Sequence, residues 1–263
     1  MQKIRLGDME LEALFALEES DAGVLTLADL ARILHLSKEQ AWKLASRLVR
    51  KNRLIRLKRG TYLFAPMRAG RNGQWTEDAL AATPKLMEGR EYYIGFWSAL
   101  NHYGLTEQIP ITVQVVTSSR QRTIEALQTR FEFTQVRRIG KSQEIEIGGK
   151  KVRFATMEQL MTDCVSFPEK CGGVKEASKA LWNARKKLDW AKLESITSDS
   201  TDAARRRLGY LSELHGMRKL KPGPIIGWRW LDPSAPKREL GRSAAWGLLL
   251  NVPKKDLLEW KKH

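Results

Sequence analysis

Residues 26–66 decide the fold, and their sequence is TLADLARILHLSKEQAWKLASRLVRKNRLIRLKRGTYLFAP. Thr26 is a favourable N-cap for a first helix. The apolar residues of this helix follow the i, i+3, i+4, i+7 spacing of a buried stripe: Leu27, Leu30, Ala31 and Leu34. His35-Leu36 breaks the pattern, and Ser37 with Gln40 has the spacing of a capping box. The pattern therefore predicts a second helix that begins after Ser37.

This second helix is predicted to be apolar on one side and basic on the other. Its apolar residues are Ala41, Leu44, Ala45, Leu48 and Val49, and Trp42 lies near the boundary. After Asn52 the hydrophobic period changes to two over residues 54–58 and 61–64, and Gly60 suits the turn between two strands. Helix, tight turn, helix and hairpin are typical of a winged helix-turn-helix, whose second helix enters the DNA major groove.

The charge of this stretch favours DNA as the partner. Residues 37–60 contain nine Lys or Arg residues and one acid, Glu39. A solvated basic face would explain one charged helix, but the caps, the change of period and the hairpin all agree with DNA binding. The residues expected to reach base edges are Lys38, Lys43, Ser46 and Arg47. Those expected to hold the DNA backbone are Arg50, Lys51, Lys58, Arg59 and Thr61, and Arg56 completes the predicted DNA-binding set.

Composition limits the remaining possibilities. The chain has 263 residues, 42% of them hydrophobic, which is enough for two domains. Its formal net charge is +16, and the excess lies in residues 1–66 and 203–263, which favours a polyanionic partner. The sequence predicts no membrane span, signal peptide, cofactor or metal site, and two cysteines fit a reduced cytoplasm. We therefore expect a cytoplasmic protein.

The predicted fold class is α+β, with an N-terminal winged helix-turn-helix domain followed by a C-terminal mixed α/β domain. The predicted domains are residues 1–66 and 91–263, joined by a linker over 67–90. A first helix over 8–19 is expected to turn Leu11, Leu14 and Phe15 toward the core, with its acidic face away from DNA. Predicted strands of the second domain cover 111–117, 131–136, 144–147 and 150–155. Predicted helices cover 120–130, 156–164, 174–187 and 202–214, and two short tail strands cover 225–231 and 244–252.

Two further sets of residues have alternative interpretations. One set forms either a second phosphate-contacting surface or a solvated helix end with a basic loop: Arg205, Arg206, Arg207, Arg218, Lys219 and Lys221. The aromatic-rich segment 92–104 is expected to be core rather than a base-stacking platform.

We find no constellation typical of an enzyme. The best candidates are the carboxylates Glu144, Glu146, Glu158 and Asp163, close to Lys150 and Lys151. A metal-dependent nuclease needs two or three carboxylates around a cation, but this spacing matches no nuclease motif. We therefore predict no catalytic residues.

Short motifs, in order along the chain, resemble the AbiEi family of antitoxins and transcriptional regulators. The matching segments are Tyr93-Ile94-Gly95, Ser98-Ala99-Leu100, His102-Tyr103-Gly104, residues 155–164, Pro168-Glu169, Gly172-Gly173, Leu208-Gly209-Tyr210-Leu211, Leu231-Asp232-Pro233, Trp246 and Asn251. The resemblance implies a winged helix followed by an α/β antitoxin domain, with no enzymatic activity. It also implies autorepression through inverted repeats in the protein's own promoter, in a type IV toxin–antitoxin (abortive infection, phage defence) system. The implied functional partner is a nucleotidyltransferase-like toxin that forms no tight complex with the antitoxin.

The leading hypothesis is therefore a DNA-binding transcriptional autorepressor that also acts as an antitoxin, on double-stranded operator DNA. Whether the protein associates cooperatively with itself on DNA stays open. One alternative is a toxin-binding interaction protein whose DNA binding is secondary. The other is a metal-dependent nucleic-acid-processing enzyme that uses Glu144, Glu146 or Asp163.

Overall fold

The computed structural model describes residues 6–20, 23–65, 79–87, 89–126, 129–218 and 220–262. In chain order, the N-terminal elements are α1 (Asp8–Glu19), β1 (Val24–Thr26), α2 (Leu27–Ile33), α3 (Lys38–Arg50), β2 (Leu54–Lys58) and β3 (Thr61–Phe64). The three strands form an antiparallel sheet in the order β1-β3-β2. This arrangement is consistent with a winged helix-turn-helix, because two successive helices are followed by a hairpin whose sheet includes a strand from before the first of them.

The N-terminal core lies between α1, α2, α3 and the sheet. The predicted inner face of α3 is confirmed, since Ala41, Leu44, Ala45 and Leu48 are completely buried. The strand β1 was not predicted from the sequence. It has only three residues, and it is defined by pairing with β3, in which Val24 lies opposite Leu63.

The predicted orientation of α1 is wrong. Leu14 is buried as expected, but Phe15 is 54% exposed and Leu11 is 39% exposed. The helix instead buries Glu10, Ala13, Leu14 and Leu17. A carboxylate is tolerated on this face because it accepts hydrogen bonds from the Gly7 amide and from Lys51.

The second part of the chain begins with α4 (Ala79–Leu86), β4 (Tyr92–Ile94) and α5 (Phe96–His102). Five further strands follow: β5 (Thr112–Thr117), β6 (Ile124–Ala126), β7 (Thr129–Gln135), β8 (Ser142–Ile147) and β9 (Lys150–Ala155). Together with β4 they form one mixed sheet in the order β6-β7-β5-β4-β9-β8. Tyr92, Tyr93 and Phe96 are buried, as expected for core residues.

The helix predicted over residues 120–130 is wrong. Residues 124–126 form β6, and Thr129 already belongs to β7, while residues 127–128 lie outside the described ranges. Ile124 pairs with Phe131 in an antiparallel ladder at the sheet edge. This pairing between strands outweighs the weak local helix signal of the segment.

Four helices follow: α6 (Met157–Ser166), α7 (Gly173–Ala184), α8 (Trp190–Ser198) and α9 (Asp202–Leu214). The helix α6 contacts β9 of the sheet, and the other three helices pack against α6. Thr156 caps α6 as predicted, but the Gln159 side chain does not return to the Thr156 amide; it accepts from the Lys141 amide and donates to Asp163. The helix α8 was not predicted; Asp189 caps it through the Ala191 and Lys192 amides.

The chain ends in β10 (Arg229–Trp230), β11 (Gly241–Ser243), β12 (Leu248–Leu250) and α10 (Lys254–Leu258). The predicted tail strands are therefore much shorter than expected. No helix within the described ranges has the length and apolar character needed to cross a bilayer.

Several residues of the recognised motifs are packed against one another here. A Cβ atom added to Gly209 would lie 2.0 Å from the Trp246 ring, and one added to Gly173 would lie 2.8 Å from Asp232 Oδ2. The Asn251 side chain accepts from the Asp232 amide and donates to the Asp232 carbonyl. These motif residues therefore pack closely against one another and stabilise the fold.

Each part has its own large hydrophobic cluster, and a small third cluster of Val24, Leu63 and Ala82 joins the N-terminal sheet to α4. The predicted domain division stays a prediction. One direct link between the two parts is an ion pair of 3.2 Å between Asp29 of α2 and Lys85 of α4. Asp29 also accepts from the Thr26 amide at 2.9 Å and from the Thr26 hydroxyl at 2.8 Å. Burial alone would raise the pKa of Asp29, but these hydrogen bonds and Lys85 lower it well below its usual value.

Candidate nucleic-acid interface

Two capping boxes fix the helix-turn-helix. In α2 the Asp29 amide donates to the Thr26 hydroxyl at 3.1 Å. In α3 the Gln40 amide donates to the Ser37 hydroxyl at 3.2 Å, and the Gln40 side chain accepts from the Ser37 amide at 2.9 Å. Between the helices His35 adopts a left-handed conformation with φ of 51°. The α3 caps predicted from the sequence are therefore present, and they set where this helix begins.

The outer face of α3 is polar and largely solvent-accessible. Opposite the buried stripe lie Glu39, Lys43, Ser46 and Arg50, flanked by Lys38, Trp42 and Arg47. Lys43 pairs with Glu39 at 2.7 Å, and the Ser46 hydroxyl donates to the Trp42 carbonyl at 2.9 Å. Trp42 is 56% exposed and was missing from the predicted site, although its place beside the polar face was visible in the helical spacing.

The wing presents two exposed arginines, Arg56 and Arg59. Gly60 has φ of 72°, a conformation that favours glycine, and its carbonyl accepts from the Leu27 amide at 2.9 Å. The wing tip is therefore tied to the start of α2. The predicted contact by Thr61 is wrong, because this residue is buried and pairs with Thr26 inside the sheet. The side chain of Lys58 lies outside the described part of the structure.

Glu10 neutralises part of the predicted basic surface. Its carboxylate bonds Lys51 and lies 3.9 Å from Arg47 Nε, although its own side chain is only 5% exposed. Burial raises the pKa of Glu10, but hydrogen bonds from Lys51 and the Gly7 amide, together with the charges of Lys51 and Arg47, lower it overall. No local sequence signal indicated this contact, because Glu10 and Lys51 are 41 residues apart.

Four predicted contact residues remain exposed, and within the described ranges none of them forms an ion pair: Lys38, Arg50, Arg56 and Arg59. They lie on two neighbouring elements, α3 and the β2–β3 hairpin. Unpaired cations on a helix and an adjacent wing suit the phosphate backbone of a duplex, because DNA carries a regular array of negative charge.

The predicted second basic surface is contradicted at two positions. Arg206 and Arg207 are buried and donate to main-chain carbonyls, among them Gly227 at 2.7 Å and Val165 at 2.8 Å. Arg205 is half-buried and pairs with Asp202 at 3.1 Å. Arg206 and Arg207 hold α9 against the C-terminal segment through the carbonyls of Gly227 and Trp230, whereas the ion pair of Arg205 lies within α9. Arg218 and Lys221 are exposed, whereas Lys219 is outside the described residues.

The candidate carboxylates do not converge. Glu144 lies 3.7 Å from Arg153 on the exposed hairpin, Glu158 accepts from the Asp189 amide, and Asp163 is buried beside Tyr93. Glu146 is exposed on the same hairpin as Glu144. The described residues contain no group of three His, Cys, Asp or Glu side chains able to hold a metal ion.

The helix-turn-helix and its wing coincide with a known sequence family. Residues 12–65 match the family model of the AbiEi antitoxin transcriptional regulators. This AbiEi match begins in α1 and ends directly after β3, so the predicted family is confirmed for this segment, whereas the short motifs of residues 93–251 lie outside the match. The matched family is one of transcriptional regulators, which agrees with a DNA-binding role for α3 and the wing.

Beyond the AbiEi segment, a solved structure supplies a comparison for the complete fold. The RV2827C protein from Mycobacterium tuberculosis aligns with a TM-score of 0.69 and 14% sequence identity, covering 99% of this chain and 97% of that chain. At this identity the similarity shows the fold alone. A comparison with curated proteins gave no match.

Proposed function

We propose that this protein is a transcriptional autorepressor that binds inverted repeats in its own promoter. The observation that carries the proposal is a set of exposed cations on α3 and the wing that form no ion pair with any described residue: Lys38, Arg50, Arg56 and Arg59, all within the AbiEi-matched segment. In this proposal α3 lies in the major groove, and Lys43 and Arg47 reach base edges once DNA replaces their contacts with Glu39 and Glu10.

The wing has a different role in the proposal. Arg56 and Arg59 hold phosphates, so they contribute affinity without sequence preference. If Arg50, Arg56 and Arg59 meet phosphates, the log–log dependence of affinity on salt has a slope of magnitude roughly 2.7 per protein, because each neutralised phosphate contributes about 0.9.

Fluorescence anisotropy tests this division of roles between α3 and the wing. It compares binding to a duplex from upstream of the protein's own gene (the upstream duplex) with binding to a scrambled duplex. Arg47→Ala is expected to reduce the difference in binding free energy between the upstream and the scrambled duplex by about 1–3 kcal/mol, the value of a lost base contact. Arg59→Ala is expected to lower the binding affinity for both duplexes by the same factor. Lys186→Ala, which removes an exposed lysine just after α7, serves as the matched control. If the wild-type protein binds both duplexes equally at moderate salt, the proposal is wrong.

We further propose that the protein is the antitoxin of a type IV toxin–antitoxin system and opposes a nucleotidyltransferase-like toxin without a tight complex. This step rests on the AbiEi match of residues 12–65. Co-expression with the product of the neighbouring reading frame tests it, with rescue of growth as the expected result. A stable complex on co-purification would instead favour a toxin-binding interaction protein.

The proposal assigns no enzymatic activity to the chain. In its support, the sequence-predicted carboxylates lie apart, and Asp163 is bound by Tyr93 and Gln159. The proposal would be contradicted if the protein turned over a nucleic acid in a metal-dependent reaction and if Glu144→Gln or Asp163→Asn abolished that reaction.

A further inference from the structure

A cleft of about 1130 Å³ lies in the C-terminal part of the chain, away from the AbiEi-matched segment. Tyr93 of β4 and Asp163 of α6 line it. One wall is the connection between β7 and β8, residues 135–141, which passes three strands of the sheet. The other wall is formed by Ile196 of α8 and by residues 199–201, which lead into α9.

Three cations line the first wall: Arg137, Arg138 and Lys141. All three are exposed, and none of them forms an ion pair with another described residue. Many other basic side chains in this part of the chain have acidic partners, for example Arg153 with Glu144 and Lys179 with Glu107. Three uncompensated charges within five residues, at the edge of a concavity, favour binding of an anion with several charged oxygens.

The cationic wall is fixed to the interior of the cleft. Gln159 accepts from the Lys141 amide at 3.1 Å and donates to Asp163 at 2.8 Å, and Asp163 accepts from the Tyr93 hydroxyl at 2.8 Å. Gly140 allows this approach, since a Cβ atom at that position would lie 2.3 Å from the Gln159 amide carbon. The wall is therefore held in place before any ligand arrives, which lowers the entropic cost of binding.

The rest of the lining is mixed in character. Phe167 and Ile196 are half-buried apolar side chains in the cleft, and Ser166, Ser200 and Asp199 supply hydroxyl and carboxylate groups. An aromatic or heterocyclic ring suits the apolar side chains, and sugar hydroxyls suit the polar groups. The cations and this lining together match a molecule with a phosphate end and a nucleoside end.

We propose that this cleft binds a free nucleotide, with its phosphates against Arg137, Arg138 and Lys141 and its base against Phe167 and Ile196. The volume of 1130 Å³ is slightly above the roughly 300–1,000 Å³ usual for pockets of small ligands, so the cleft has room for a complete nucleotide. A duplex backbone needs an extended exposed surface, whereas half of this lining is recessed or apolar. The inference does not depend on the proposed promoter binding, and either can fail alone.

Isothermal titration calorimetry of the full chain in magnesium-free buffer tests the proposal. The titrants are ATP, GTP, CTP and UTP, with inorganic triphosphate and the four nucleosides as comparisons. We expect at least one nucleotide to bind with a Kd below roughly 100 μM and more tightly than inorganic triphosphate or its nucleoside. The double variant Arg137→Ala/Arg138→Ala is expected to weaken binding by about tenfold to a hundredfold.

Matched variants separate this site from general electrostatics. Lys186→Ala/Lys187→Ala removes two exposed charges just after α7 and is expected to leave nucleotide binding unchanged. Lys141→Ala provides a second, single change should the double variant fold poorly, and it is expected to weaken nucleotide binding but not duplex binding. The proposal is overturned if no nucleotide binds at millimolar concentration, if inorganic triphosphate binds equally well, or if both double variants lose affinity alike. It is also overturned if the arginine variant weakens binding of duplex DNA and leaves nucleotide binding intact.

Discussion

Replacing Glu10 by glutamine removes the charge of a buried carboxylate and keeps its size. The wild-type side chain accepts from the Gly7 amide at 2.9 Å, bonds Lys51 and lies 3.9 Å from Arg47. The amide oxygen of the variant can still accept from Gly7, so the main loss is the charged contact with Lys51. A hydrogen bond to a charged group contributes about 1.5–3 kcal/mol. Because Lys51 is 31% exposed, solvent screening reduces this value, and we expect a loss of about 1–2 kcal/mol.

The same change is expected to strengthen binding to non-specific DNA. The change leaves the positive charges of Lys51 and Arg47 less neutralised, which strengthens their attraction to the DNA phosphates, and each new phosphate contact raises the salt slope by about 0.9. Stability and DNA affinity should thus change in opposite directions. Urea unfolding measures the first effect, and anisotropy with a scrambled duplex at several salt concentrations measures the second.

The pH dependence of the stability loss has a definite sign. The folded-state pKa of Glu10 is lowered, so its stabilisation is present above the unfolded pKa of about 4.3 and is lost as pH falls through the folded pKa. The difference between wild type and Glu10→Gln should therefore shrink in acid. Glu12→Gln, at an exposed position of the same helix, is the control. Equal effects of the two substitutions on stability and on salt slope would refute the reasoning.

Three further substitutions have distinct expected results. Arg59→Ala should lower the salt slope by about 0.9 on any duplex, whereas Lys186→Ala should not change it; a loss confined to one sequence would contradict the wing's proposed role. Gly209→Ala should destabilise the protein by about 1–3 kcal/mol in thermal unfolding, because its Cβ would lie 2.0 Å from Trp246; an unchanged Tm would contradict this close packing. Burial raises the pKa of Asp163 to about 7 despite hydrogen bonds from Tyr93 and Gln159. The contribution of Asp163 to the free energy of unfolding should therefore fall between about pH 4 and pH 7, by at most about 1.4 kcal/mol per pH unit. In urea titrations the difference between wild type and Asp163→Asn should change in favour of the variant over this range, and a constant difference would contradict the raised pKa.

The sequence predicted the elements whose signals are local. The Ser37 and Gln40 cap, the four buried residues of α3 and the turn at Gly60 each depend on residues within one or two turns of chain. For the same reason the helix over 202–214 was predicted with its observed bounds. Caps, hydrophobic period and glycine positions need no knowledge of the rest of the molecule.

The errors arise where distant residues decide the outcome. Glu10 faces inward because Lys51 meets it, and residues 124–126 form a strand because Phe131 and its neighbours lie beside them. The sequence predicted Arg206 and Arg207 as exposed charges, but both are buried and donate hydrogen bonds to main-chain carbonyls of two remote segments. In the candidate interface the charged helix and wing were predictable, whereas the neutralised Lys51 and the buried Thr61 were not.

The carboxylate of Asp29 takes part both in the first turn of α2 and in the junction with α4, where Ala82 also packs against Val24 and Leu63. Its oxygens serve Thr26, Arg32 and Lys85 together. Protonation or removal of this group would fray the beginning of the helix-turn-helix and release the tether to Lys85 in one event. Loss of the ion pair between α2 and α4 through Asp29 would therefore also damage the beginning of the helix-turn-helix.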